Sequence, residues 1–268
     1  PHRGCRQCAL LQLVSLIQCQ AMPEKMCSLK DFRGSTDVLI GCSGFGLQFE
    51  PLSHAQVELL AKALSTSNSI KHLSLRDNDL TVTDAELILN AVTANPQLET
   101  LVFRAELTLV SQSISRALAN MLLASKALGD IDLRGTVLGD DGAAIFADAL
   151  GKNTVLTNLQ LSGCGIKAEG TKAIAAALVT NTGLVSLDLS DNRLGDTGAK
   201  ALAVALDAHT GALEELIITD HPEAVGIAGR SLLIATAQKH AGWLQIWTHK
   251  REKIRNDWAY LGYEKTEL

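Results

Sequence analysis

Aliphatic residues return along this chain at Leu73, Leu101, Ile131, Leu159, Leu187 and Leu216, in steps of 28, 30, 28, 28 and 29 residues. Each of them sits in the same local frame. The clearest copy reads Leu184-x-x-Leu187-x-Leu189-x-x-Asn192-x-Leu194, followed by Gly195-Asp196-Thr197-Gly198 and an alanine-rich run to Leu206. The frame recurs at Ile70/Leu73/Leu75/Asn78/Leu80, Leu98/Leu101/Phe103, Leu128/Ile131/Leu133/Leu138, Leu156/Leu159/Leu161/Cys164/Ile166 and Leu213/Leu216/Ile218. A fixed period of this length marks a stack of supersecondary units, none of which can bury its apolar face alone.

Each unit reads as a short strand, a turn and a helix. The paired aliphatics of the strand point to one face, because side chains alternate along a strand. After them comes an apolar stripe at helical spacing, as in Val57, Leu60, Ala61 and Leu64 within a helix expected over residues 53–64. Parallel strands need a crossover of this kind. Counting back one period places a first unit at Phe45, and counting forward places a last strand at Leu244 beside Ile246. The expected fold is an α/β solenoid, with parallel strands on a concave face and helices on the convex one.

The runs Asn192 to Leu206, Leu138 to Leu150 and Lys167 to Leu178 resemble the ribonuclease-inhibitor-like class of leucine-rich repeat. Gly142, Gly170 and Gly198 recur 28 apart near the helix starts, where a missing side chain lets neighbours approach. The resemblance covers residues 42–241, and it implies a leucine-rich-repeat solenoid that binds protein along a curved surface. It also implies a row of side chains that satisfies backbone groups in the bends, here Asn78, Glu106, Thr136, Cys164, Asn192 and His221. Glutamate and histidine fit that row poorly, so the copies around Glu106 and His221-Pro222 should be irregular. Ribonuclease inhibitors themselves have more repeats and more cysteines. The activators of Ran GTPase carry a long acidic tail that this sequence lacks.

The net charge is −5 with a pI near 5.8. No bulk basic field is present to hold nucleic acid, so the expected partners are other proteins. Five of the six cysteines lie at positions 5, 8, 19, 27 and 42, and none falls in the last hundred residues. This usage fits a reducing, intracellular compartment, cytoplasmic or organellar. Cys5, Cys8, Cys19 and Cys27 can be read as zinc ligands, but a second tight pair is missing, and unpaired thiols are the reading adopted.

Three regions follow: an arm over 1–36, the repeat domain over 37–241, and a last strand with a capping or docking tail over 242–268. The arm holds an apolar run from Ala9 to Ile17 behind Arg3 and Arg6, too short for a membrane-spanning helix. It reads either as part of a processed targeting segment or as a helix docked on the first repeat or on a partner. Membrane contact is expected only through this arm. All three tryptophans (243, 247 and 258) and both tyrosines (260 and 263) fall in the last 26 residues. Ile254, Trp258 and Leu261 share one helical face and suit a cap. Trp243 and Trp247 suit a partner anchor.

Alternation puts His72/Ser74/Arg76, Thr100/Val102/Arg104 and Asp130/Asp132/Arg134 on the concave face. Arg76, Arg104 and Arg134 then stack in one register and suit an acidic partner, since guanidinium forks match carboxylates. The alternative is that they are solvated and pair with Asp77, Asp130 or Asp132. The candidate partner-binding set is Arg76, Arg104, Arg134, Asp132, Trp243, Trp247, Leu13, Leu16 and Ile17. No phosphate-binding loop, nucleophile elbow or metal-spaced histidine pair is present, so no catalytic residue, cofactor or metal is expected. The carboxylates Asp140, Asp141 and Asp196 open helices, where they favour the dipole. The functional expectation is a non-enzymatic protein–protein interaction scaffold, an accessory structural subunit of a larger assembly. The alternatives are a regulator of a small GTPase, through Arg76 or Arg104, and a sensor fragment of a multidomain receptor.

Overall fold

The computed structural model describes residues 51–67, 69–76, 78–104, 112–218 and 225–240, with strand backbones at Met26–Cys27, Gly44–Gln48 and Gln245–Trp247. Strands and helices alternate along it. The order is β1 (Met26–Cys27), β2 (Gly44–Gln48), α1 (His54–Thr66), β3 (His72–Arg76), α2 (Val82–Thr93), β4 (Thr100–Arg104), α3 (Gln112–Ala124) and β5 (Asp130–Asp132). Then follow α4 (Gly139–Leu150), β6 (Asn158–Gln160), α5 (Ala168–Thr180), β7 (Ser186–Asp188), α6 (Gly195–Ala208), β8 (Glu215–Ile217), α7 (Ile227–Lys239) and β9 (Gln245–Trp247). Among the described residues the nine strands form one parallel sheet in sequence order. Consecutive units are therefore neighbours in space throughout.

The register confirms the repeat frame. Phe45, Leu73, Leu101, Ile131, Leu159, Leu187, Leu216 and Ile246 lie level across the sheet. The row from Leu73 to Leu216 is buried, as are Leu75, Phe103, Leu133, Leu161, Leu189 and Ile218 beside it. Against these pack the helix stripes, of which α1 supplies Val57, Leu60, Ala61 and Leu64 as its spacing predicts. One continuous core results, shared unit by unit.

One expectation is corrected. The last strand is centred on Ile246 rather than Leu244, because Leu216 pairs with Ile246, a step of 30 residues. The shift is by two, so the alternation of faces is preserved. At the other end, Met26 and Cys27 pair with Gly44 and Phe45, which extends the sheet into the segment read as an arm.

Three rows of polar groups tie the units together. In the first, Thr136 Oγ1 donates to Phe103 O at 2.9 Å, Cys164 Sγ to Leu133 O at 3.2 Å, and Asn192 Nδ2 to Leu161 O at 2.7 Å. Each thus satisfies a carbonyl of the preceding unit, as the resemblance implied. Burial pushes the Cys164 thiol up to about 12, so it serves as a small packed donor and not a nucleophile. Glu106 and His221 lie outside the described residues.

A second row, unforeseen from sequence, runs along the helix C-termini. Asn95 Nδ2 donates to Ile70 O at 3.3 Å, Asn153 Nδ2 to Leu122 O at 2.7 Å and Asn181 Nδ2 to Leu150 O at 2.7 Å. Their Oδ1 atoms accept backbone N–H groups at the start of the next strand, those of Leu156 and Leu184 at 2.8 Å. His209 continues the row, with Nδ1 2.6 Å from Leu178 O and Nε2 accepting from Leu213 N at 3.3 Å. A carbonyl only accepts, so Nδ1 carries the proton there.

The third row lies at the helix N-termini. Asp140 Oδ1 accepts from Lys167 N at 2.7 Å and Gly170 N at 2.9 Å, and Asp196 Oδ1 accepts from Gly229 N at 2.9 Å. These carboxylates serve the dipole of the following helix as well as their own. Gly198 shows why this edge needs glycine: a Cβ there would meet Thr171 Cβ at 3.0 Å.

Candidate functional site

The outward residues of β3, β4 and β5 define the most strongly charged part of the described sheet face. Arg76 is level with Arg104 across the β3–β4 pair. Beyond β5, Arg134 extends the column into the next unit. Strands stand about 4.8 Å apart, so unpaired guanidiniums so placed would repel by roughly 1 kcal/mol even in water.

One buried carboxylate removes most of that repulsion. Asp132 is 3% exposed. Its Oδ2 accepts from Arg104 Nε at 3.0 Å and from Arg104 Nη2 at 2.5 Å. Arg134 reaches it from the other side, with Nε 3.0 Å from Oδ1 and Nη2 2.8 Å from Oδ2, and its backbone N–H also donates to Oδ1 at 3.0 Å. Burial pushes this carboxyl up, yet the bonds from Arg134 and Arg104 outweigh it and hold the group at about 2. Asp132 therefore stays ionised and both its oxygens are taken. It positions two arginines, the pairing that the sequence offered as the alternative to a free arginine column.

Arg76 stands apart. Its Nε is buried and meets no hydrogen-bond partner among the described residues. Around it lie Ser74, Thr100 and Val102, all half-buried, and the exposed His72. Farther along, the face changes sign. Asp188 and Glu215 are half-buried on β7 and β8, where Ser186 Oγ donates to Glu215 Oε2 at 2.8 Å and Ser190 N to Asp188 Oδ1 at 2.8 Å. Between the poles Asp130 is raised, first by burial and then by Asp132. The concave face thus runs from basic at β3–β4 to acidic at β7–β8.

The structure brings Arg104, Arg134 and Asp132 into one cluster with Arg76 adjacent to it. Trp247 contributes its backbone to β9, level with Ile217 and hence in the register of the concave face. Trp243, Leu13, Leu16 and Ile17 lie outside the described residues. Among the described residues no group of three or more metal-ligating side chains converges, and no helix is long and apolar enough to cross a membrane.

Residues 66–89, 152–175 and 180–203 match the family described as Leucine Rich repeat. The three matched stretches are leucine-rich repeats, and the alternating parallel strands and helices carry the same unit along the described sheet. No curated protein matches it in sequence. Among solved structures it is similar to actin-binding site 2 of leiomodin-1, at 21% identity over 61% of this chain and 94% of that one, with a TM-score of 0.48. The tropomodulin C-terminal domain of Caenorhabditis elegans gives 15% identity over 61% and 95%, with a TM-score of 0.46. A chain of the yeast Rad7–Elc1 complex gives 15% identity over 82% and 57%, with a TM-score of 0.47.

Proposed function

We propose that this protein is a non-enzymatic interaction scaffold, an accessory subunit of a larger assembly, which receives an acidic segment of a partner protein on the β3–β5 part of its concave face. The observation that carries this reading is the imbalance around Asp132. Two of the three arginines share one buried carboxylate, and the third, Arg76, keeps a desolvated Nε with no acceptor among the described residues. A buried donor left unmade costs free energy, and a partner's carboxylate supplies the missing acceptor. Asp188 and Glu215 at the other end favour a basic group farther along the same segment, which would fix its direction.

The anchoring of Arg104 bears on the GTPase-regulator alternative. Of the two arginines that reading named, Arg104 is committed to Asp132, so the reading would rest on Arg76 alone. Stimulation of GTP hydrolysis across a panel of small GTPases, lost on Arg76→Ala, would favour it.

The test of the scaffold reading is crosslinking mass spectrometry on the assembly purified from its native source. Inter-protein crosslinks from Lys71, which is exposed at the edge of β3, to an acidic segment of a partner are the expected result. Crosslinks confined to the helical convex face would overturn it.

A further inference from the structure

The convex face changes character between α4 and α5. A buried residue marks the centre of each helix, from Leu60 in α1 and Phe146 in α4 to Leu202 in α6 and Leu233 in α7. Two positions beyond it the side chain is exposed. In α1–α4 those residues are Lys62, Asn90, Asn120 and Asp148. In α5–α7 they are Ala176, Val204 and Ala235, with Val204 open by 62%. Val179 at 39% and Leu232 at 38% extend the band at its two ends. Consecutive helices pack against one another, so this apolar surface is continuous across three of them. No described element covers it, and a patch of this kind marks a contact.

The borders of the band carry unequal charge. One turn toward the helix N-termini lie Lys172 and Lys200, level with each other. Lys172 Nζ is bound to Glu169 Oε1 at 2.7 Å. The position in α6 level with Glu169 is Thr197, which carries no charge, and Lys200 makes no ion pair among the described residues. On the C-terminal side Asp207 is already neutralised, 2.9 Å from Lys239 Nζ and 2.8 Å from His240 Nε2. The unmatched charge bordering the band is therefore a cation, and its complement is a carboxylate.

Geometry selects the form of the occupant. The middle of a helix offers no free backbone groups, so an extended segment laid there would bury unpaired N–H and C=O groups. A helical segment satisfies its own. The band is bounded along α6 by Lys200 and Asp207 but continues over three helices, so its occupant runs across them. Packed helices stand about 8–10 Å apart, and seven residues of a helix rise about 10.5 Å. One stripe of a crossing helix therefore meets each of the three in turn. We propose that α5–α7 dock an amphipathic helix of a partner protein, with aliphatic residues at heptad spacing over Ala176, Val204 and Ala235 and a carboxylate beside Lys200. This contact is independent of the one on the concave face.

Two synthetic helical peptides test this against the full chain by fluorescence anisotropy. Both carry leucine at heptad spacing; one has glutamates beside the leucines and the other lysines. The glutamate peptide should bind the more tightly, by about tenfold or more. Val204→Glu, at an open helical position that leaves the melting temperature unchanged, should weaken its binding about tenfold, and Ala176→Glu should act in the same way. Lys200→Glu should transfer the preference to the lysine peptide. Arg76→Ser should alter none of this, which separates the contact from the one proposed on the concave face. The proposal is overturned if neither peptide binds, if the two bind alike, or if neither Val204→Glu nor Ala176→Glu weakens the glutamate peptide. It is equally overturned if sedimentation shows a dimer of the unaltered chain that Val204→Glu dissociates, since a second copy is then the occupant.

Discussion

Asp132 is the residue on which the charged face depends. Its pKa is depressed in the folded chain, so the sign is that of a carboxylate whose ionised form is stabilised: the contribution is complete above the unfolded value near 4 and is lost as pH falls toward about 2. The size follows from the shift, about 2 kcal/mol. Acid titration of the melting temperature should therefore show a component between pH 4 and 2 that disappears in Asp132→Asn. Removing one partner of a buried pair is costly, about 3–5 kcal/mol, so Arg104→Ala should destabilise the fold strongly in thermal or urea unfolding. Arg76→Ser should leave unfolding nearly unchanged, because no described residue depends on it. That contrast separates the arginine free to bind from those that hold the site. The sequence shows three arginines in register and an acid between them. It does not show that the acid is buried, because alternation alone assigns Asp132 to the open face; only the approach of two guanidiniums makes its burial tolerable.

At the scale of an element, the strand and helix of each unit are legible because their periods differ. The paired aliphatics at Leu187 and Leu189 and the stripe through Leu202 and Leu206 specify which faces meet. The register at β9 was not legible in the same way. Trp243, Leu244, Gln245, Ile246 and Trp247 alternate apolar and polar so weakly that shifts of two residues look alike, and only pairing with β8 selects Ile246. The asparagine row at Asn153 and Asn181 is hard to read in the sequence for another reason. It follows the same 28-residue period, but it lies at the helix ends, away from the aliphatic markers that reveal the repeat. Asn181→Ala should cost about 1–3 kcal/mol, since it strands the carbonyls of Leu150 and Asn153 and the N–H of Leu184. Urea unfolding measures that loss directly.

On the scale of the whole molecule, stability is a sum over units and the contacts between neighbours. Leu187→Ala opens a cavity in the shared core and should cost about 2–5 kcal/mol. The loss should spread to the units on either side, so hydrogen exchange should accelerate across residues 156–218 and not at β7 alone. One parallel sheet carries both charged ends of the concave face. The arginines near β3 and the carboxylates near β8 are held apart by the sheet itself, and a partner segment must match that spacing along its length.

The most direct test of the scaffold account is the salt dependence of partner binding, measured with the partner recovered in the native assembly. Affinity for the unaltered chain should fall as ionic strength rises, because the contact at Arg76 is one between charges. Arg76→Ser, with its melting temperature unchanged, should weaken binding about tenfold and flatten that dependence. Equal affinity and equal salt dependence in the two proteins would contradict the account and move the binding surface away from the arginine column.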